Sequence, residues 1–341
     1  MEKLLIKILK EKHLEDSFID RIINSGYIAK HLADDRIVVS DKMYGNKMFS
    51  SVFDIDKFID YVNGKNTFAE LPKFRTYKVK TLQEIQDILN EDSRKRYIEN
   101  GLMSFRGQTK EYTFKREIPN PVRANEKGEE LSIIPGAFRG KPFRTDDQLF
   151  TYEKSTVKPY LYNLEPNNKN VYYDSSHAYD IMRVEQHYAK QTSGLDITFD
   201  IETALYFATN KLNWNDDKTV YYAGIEQGKH NGVIYIFVFR EPSVKKTEFL
   251  IQGFDLFKTY QPLRILRQNC GLPLFQDCER NIAICDIDCI IYLDQEFSYK
   301  TKLTYKHLFP NESEDLFYGK LMELKRKDDL KLLEHVMEYR Y

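Results

Sequence analysis

Apolar residues recur three and four positions apart over the first 24 residues: Leu4 with Ile8, Leu5 with Leu9, Leu14 with Phe18 and Ile22, Ile19 with Ile23. That spacing gathers them on one helical face and predicts one or two amphipathic helices ended by Gly26. The β-branched run in "DRIVVSDKMYGNKMFSSVF" predicts a small hairpin around Tyr44-Gly45-Asn46, and "DIDKFIDYVNG" returns to helical spacing. The polar, proline-containing "NGKNTFAELPKFR" reads as a linker, so a small, mainly helical domain is expected over residues 1–70.

In "KTLQEIQDIL", Thr81 and Glu84 have capping-box spacing, with Leu82, Ile85 and Leu89 on one face. An apolar strand, "GLMSFRGQ", follows. Residues 113–180 are rich in Pro, Asn and Lys and predict loops and short helices. "SSHAYDIMRVEQHYAKQ" predicts a helix with Ile181, Val184 and Tyr188 inward. "GLDITFDIETALYFATNKL" predicts an extended piece turning into a helix capped by Thr198 or Asp200, with Ile201, Ala204, Leu205 and Ala208 inward. "GVIYIFVFRE", "PLRILRQNCGLPLF" and "NIAICDIDCIIYLDQ" carry strand signals. From Glu312 to Tyr341 the expectation is an amphipathic helix or helix pair, with Phe317, Leu321 and Leu324 and then Leu332 and Val336 apolar. The fold class is therefore α+β: a central mixed or antiparallel sheet domain over residues 76–298, flanked by helical elements, the last over 299–341.

Charge adds an exclusion. With 51 basic and 52 acidic side chains the net charge is −1, so nothing drives non-specific adhesion to nucleic acid or membrane. Lys7 and Lys10 interrupt the N-terminal apolar run, and no stretch is long and apolar enough for a membrane helix, which predicts a cytoplasmic protein with no membrane partner. Cys270, Cys278, Cys285 and Cys289 lie close together but form no C-x2-C pair, and no histidine neighbours them in sequence. They are expected as core thiols, and no metal is expected.

The most pointed chemistry is in "LMSFRGQTKEY", where an apolar strand ends on Arg106, Gly107 and Gln108. A guanidinium fork pairs two phosphate oxygens at once, and a glycine allows a ligand to approach the backbone. Arg106 can equally be a strand-end arginine paired to a carboxylate, and both readings stand on sequence grounds.

"MSFRGQ", the proline-arginine segments, "EQHY", "LDITFDIETALYFA" and "RILRQNCGLPLF" occur in the order and approximate spacing of the bacterial FRG domain, which the chain resembles over about residues 76–295. It departs from the family pattern at Ala189, where glycine is usual, at Ile197, where tryptophan is usual, and in "TSGLD", which lacks an arginine. "LDITFDIETALYFA" also resembles, more weakly, the second motif of ADP-ribosyltransferases.

These resemblances imply an ADP-ribosyltransferase-like domain that binds NAD as substrate, cleaves the nicotinamide–ribose bond and modifies a protein or nucleic acid, as a toxin or antiviral defence effector. Arg106 maps to the first element, Asp196 and Thr198 to the second, and Gln268 to the third. Glu279 or Glu185 is expected to supply the carboxylate that neutral Gln268 lacks. Gly107, Gln108, His187, Tyr188 and Arg264 complete the expected nucleotide contacts, with Tyr188 stacking on nicotinamide. The alternative is a non-catalytic sensing module for a nucleotide, nucleic acid or phage component, with the terminal helices binding a protein partner.

Overall fold

Two units make up the computed structural model, which describes residues 1–44, 52–69, 74–136, 139, 175–190, 192, 194–238, 257–272, 281–283, 287–299, 302–328 and 333–341. Unit 1 comprises Met1–Lys73, Tyr112–Phe150 and Phe275–Cys285; unit 2 comprises Phe74–Glu111, Thr151–Leu274 and Asp286–Tyr341.

In unit 1 the helices α1 (Glu2–Glu11) and α2 (Asp16–Asn24) bury Leu5, Leu9, Ile19 and Ile22, as their spacing predicts. Gly26, at φ 92°, turns the chain from α2 into a three-stranded antiparallel sheet of β1 (Tyr27–His31), β2 (Ile37–Asp41) and β3 (Val52–Phe53). The expected hairpin turn lies, beyond Tyr44, outside the described residues. Helix α3 (Ile55–Val62) starts at Asp54, whose carboxylate accepts from the Lys57 N–H at 3.0 Å, and buries Phe58 against Tyr27.

The unit sets α1, α2 and α3 against a small sheet, and it takes in residues expected in the central domain. A buried ionic network is the reason. Arg116 donates to Asp41 at 2.5 and 3.0 Å and to Glu130 at 2.8 and 3.0 Å, and both carboxylates are fully buried. Asn120 adds a 2.8 Å bond to Asp41 and Tyr44 a 2.7 Å bond to Glu130. Arg116 follows β6 (Thr113–Lys115), and Glu130 lies in its antiparallel partner β7 (Glu129–Leu131).

Unit 2 is built on a six-stranded mixed sheet, in the order β12 (Cys270–Gly271), β8 (Ile197–Thr198), β5 (Met103–Gln108), β11 (Val233–Val238), β13 (Ile287–Leu293), β4 (Arg75–Val79). Only the β13–β4 pairing is parallel. All six residues of β11 are buried, which matches its unbroken apolar run. Two helices precede β5. Helix α4 (Leu82–Leu89) has the predicted capping box, with Thr81 Oγ1 accepting from the Glu84 N–H at 3.3 Å and Glu84 accepting from the Thr81 N–H at 3.1 Å. The second, α5 (Asp92–Glu99), has almost no apolar face and was not expected; its buried Arg94 donates to Asp288 at 2.6 Å.

Helix α6 (Ser175–Tyr188) buries Val184 and Tyr188; the Ile181 side chain lies outside what is described. Helix α7 (Ile201–Thr209) is capped by Asp200, one of the two predicted caps, and buries Ala204, Leu205 and Ala208. It leads into an antiparallel hairpin, β9 (Asn210–Trp214) with β10 (Val220–Gly224). "PLRILRQ", expected as strand, forms a short helix, α8 (Leu263–Arg267). Pro262 sits just before its first turn, where a missing N–H costs nothing, and Asn269 leaves it at φ 50°.

The C-terminal residues are core rather than an appended helical extension. After α9 (Tyr305–Leu308) and α10 (Leu316–Arg326), the last nine residues run without helix, bridging Val336 to Ala189 and Tyr339 to Val220. Phe309, Phe317, Tyr318, Leu321 and Tyr339 share one buried cluster with Val184, Tyr188 and Tyr206. Among the described residues no helix is long and apolar enough to cross a membrane.

Candidate functional site

Alternation along β5 divides its side chains between two faces. Met103 and Phe105 pack with Ala204, Leu205 and Ala208 of α7, which places Gly107 on the same side. A Cβ at Gly107 would come within 1.8 Å of the Ala204 carbonyl oxygen. The glycine is therefore required by helix-on-strand packing, not by the ligand approach expected of it. Gly107→Ala should cost about 1–3 kcal/mol or more, because the clash is with backbone. A urea unfolding midpoint equal to wild type would refute this packing account.

Ser104, Arg106 and Gln108 alternate onto the other face. Arg106 is half-buried, and its Nη1 donates to the Asp196 carbonyl oxygen at 2.5 Å. Asp196 is brought there because it immediately precedes β8, which pairs with β5 at Thr198–Phe105 and with β12 at Thr198–Cys270.

The Asp196 carboxylate then gathers three further groups. Gln186 Nε2, on α6, donates to Oδ2 at 3.0 Å, while the Thr192 hydroxyl donates to the Gln186 side-chain amide oxygen, Oε1. His187 Nε2 stands 3.4 Å from Oδ1, and the Cys270 thiol donates to the same oxygen at 3.7 Å. The Asp196 side chain is 36% exposed and that of His187 only 3%, so Asp196 is the member a ligand can reach. Burial pushes the His187 pKa below its ordinary value although Asp196 pulls it up. Burial, helped by Asp196, holds the Cys270 thiol well above the usual range, with Arg106 and Arg183 acting in the opposite direction. Arg183, one turn before His187, is ion-paired with Asp180.

Arg264, Tyr188, Thr198 and Gln268 are engaged in holding the fold. Arg264 is fully buried, with its guanidinium over the rings of Tyr188 at 4.6 Å, Tyr318 at 3.8 Å and Tyr339 at 4.1 Å. Tyr188 is itself buried, and its hydroxyl donates to Asp315 at 2.5 Å, so its ring faces Arg264 within the core. Thr198 Oγ1 donates to the Gln268 carbonyl at 2.8 Å, and Gln268 Nε2 donates to the Leu308 carbonyl at 3.0 Å. Gln108 is buried on β5, and Glu279 lies outside the described residues.

The structure thus brings Arg106, His187 and Asp196 together and adds Gln186 and Cys270, which the sequence had not singled out. Gln186 stood in "EQHY" beside two chosen residues. Cys270 had no local signal, since only the β8–β12 pairing puts a thiol beside Asp196. Away from this cluster, a recess of about 500 Å³ is lined by Arg75, Asp92, Ser93, Arg96, Tyr97, Ile287 and Asp288.

No family model matches the chain, and no match was found among curated proteins or solved structures.

Proposed function

We propose that unit 2 binds NAD or a closely related dinucleotide at the Arg106–Asp196–His187 cluster and transfers its ADP-ribosyl group to a macromolecule. The observation that carries the reading is a half-exposed carboxylate, Asp196, held beside an arginine and a buried histidine. The order of the FRGQ, EQHY and LDIT motifs supports it further. Arg106 engages the pyrophosphate. The C1′–N bond breaks with its electron pair leaving on the nicotinamide nitrogen, and Asp196 stabilises the oxocarbenium-like carbon. A nucleophile of the acceptor then bonds to C1′, and its proton passes to Asp196.

A second reading, binding without cleavage, is favoured by Gln268, the expected third element, whose amide nitrogen is engaged by Leu308. One experiment separates the two. NAD binding is measured by calorimetry and nicotinamide release by chromatography, for wild type, Arg106→Ala and Arg106→Lys. Loss of a charged hydrogen-bonding partner should weaken NAD about tenfold to a hundredfold in Arg106→Ala, with partial recovery in Arg106→Lys. Binding without nicotinamide release across protein and nucleic-acid acceptors would leave the sensing reading. No binding at all would end both.

A further inference from the structure

We propose that His187 Nε2, Asp196 Oδ1 and Cys270 Sγ form a binding site for a single zinc ion. The separations are those of a coordination sphere. His187 Nε2 lies 3.4 Å from Asp196 Oδ1, Cys270 Sγ lies 3.7 Å from the same oxygen, and all three atoms fall within 4.8 Å of one another. A tetrahedral zinc with nitrogen and oxygen at about 2.0–2.1 Å and sulfur at about 2.3 Å sets ligand–ligand edges of about 3.3–3.6 Å. Two edges are already close to these, and the third, between His187 and Cys270, is within 4.8 Å.

The environment points the same way. His187 Nε2 is buried without a hydrogen bond, on a side chain only 3% exposed, and it faces the oxygen it would share a metal with. A desolvated ring nitrogen without a hydrogen bond is unfavourable, and a cation gives it a partner. Gln186 holds the other carboxylate oxygen at 3.0 Å, the outer contact that orients a metal-binding carboxylate. Imidazole, carboxylate and thiolate together suit zinc, whereas calcium and magnesium select oxygen donors. On binding, Cys270 releases its thiol proton to solvent and its contact to Oδ1 is replaced by a bond to the metal. Three protein ligands leave the fourth position to water or to a ligand, the open arrangement of zinc sites that react.

Zinc binding does not depend on the NAD reading. If that reading holds, the two compete for Asp196, so zinc occupancy and ADP-ribosyl transfer exclude one another.

The test uses the full chain, loaded with zinc, dialysed against metal-free buffer and assayed for metal content, and in parallel titrated with cobalt(II). Wild type should retain a single zinc. Its cobalt form should show the intense absorption of tetrahedral coordination together with a thiolate-to-cobalt charge-transfer band. Cys270→Ser should lose that band, His187→Gln should lose retained zinc, and Gln186→Leu should weaken zinc about 10–100-fold. Circular dichroism melts of the metal-free variants report their folding, and the wild-type cobalt spectrum decides the matter if a variant does not fold. Absence of retained zinc, a cobalt spectrum without the thiolate band, or equal retention in folded Cys270→Ser and His187→Gln would each overturn the site. Nicotinamide release is assayed on the metal-free chain: a chain that takes up zinc here but releases no nicotinamide when metal-free would remove the transferase reading and keep this one, and release without zinc uptake would do the reverse.

Discussion

Arg116→Met is expected to destabilise unit 1 by about 3–5 kcal/mol, because it leaves two buried carboxylates without their shared cation. Asp41 and Glu130 are fully buried, and each receives two of the guanidinium's hydrogen bonds. Burial alone would lower the Arg116 pKa, but Asp41, Tyr27 and Glu130 outweigh it and hold it well above the ordinary value. The cation is therefore retained at any pH at which the protein folds. Without the guanidinium the two carboxylates face desolvation and each other's charge in the folded state. Urea unfolding at neutral pH measures the loss. A neutral-pH loss under about 1 kcal/mol, the worth of a surface pair, would show that the network is not the tie it is taken to be.

The same network explains why the unit boundaries were hidden in the sequence. "TFKREIPNP" reads as a polar loop, because nothing local shows that Arg116 meets Asp41, which lies 75 residues earlier in the chain. Helix α5 was missed for a related reason. Its burial is carried by an arginine, Arg94, rather than by an apolar stripe. Where the determinants are local the sequence was enough: the Thr81–Glu84 box and the inward Ala204, Leu205 and Ala208 of α7 follow from spacing, and the cap of α7 was narrowed to Thr198 or Asp200, of which Asp200 is the one used.

The candidate site divides along the same line. Arg106 stood out at the end of an apolar strand, His187 and Asp196 came from the motif resemblances, and the structure joins the three. Arg264 and Gln268 looked like a ligand-binding pair at helical spacing. Their partners, Tyr318, Tyr339 and Leu308, come from a C-terminal segment that sequence periodicity had set apart as an extension. Gly107 has the opposite history. The residue was chosen for the right property, the lack of a side chain, but the backbone that approaches it belongs to Ala204. Residues with long-range partners can be picked from sequence by type, but their roles depend on contacts that local spacing does not contain.

Asp196→Asn carries the largest expected effect on activity, a fall in kcat of nicotinamide release of about 10²–10³-fold. The substitution keeps the side chain's size and an oxygen that can accept from Gln186, which donates to Asp196 at 3.0 Å. It does not touch the backbone carbonyl that Arg106 contacts at 2.5 Å. Ground-state binding should therefore change little, and KM should stay within a few-fold of wild type, because the lost interaction is with positive charge that develops only as the C1′–N bond breaks. Arg106→Ala should show the complementary pattern, with the main loss in KM, since a pyrophosphate contact acts on substrate and transition state alike. The contrast between the two variants discriminates better than either loss alone. A general packing defect at the β5–β8 junction would lower kcat and raise KM in both variants and depress the melting temperature. If Asp196→Asn releases nicotinamide at the wild-type rate, this carboxylate is not the group that meets the ribosyl cation. The transferase reading would then fall back on Glu185, the other described carboxylate expected from the sequence.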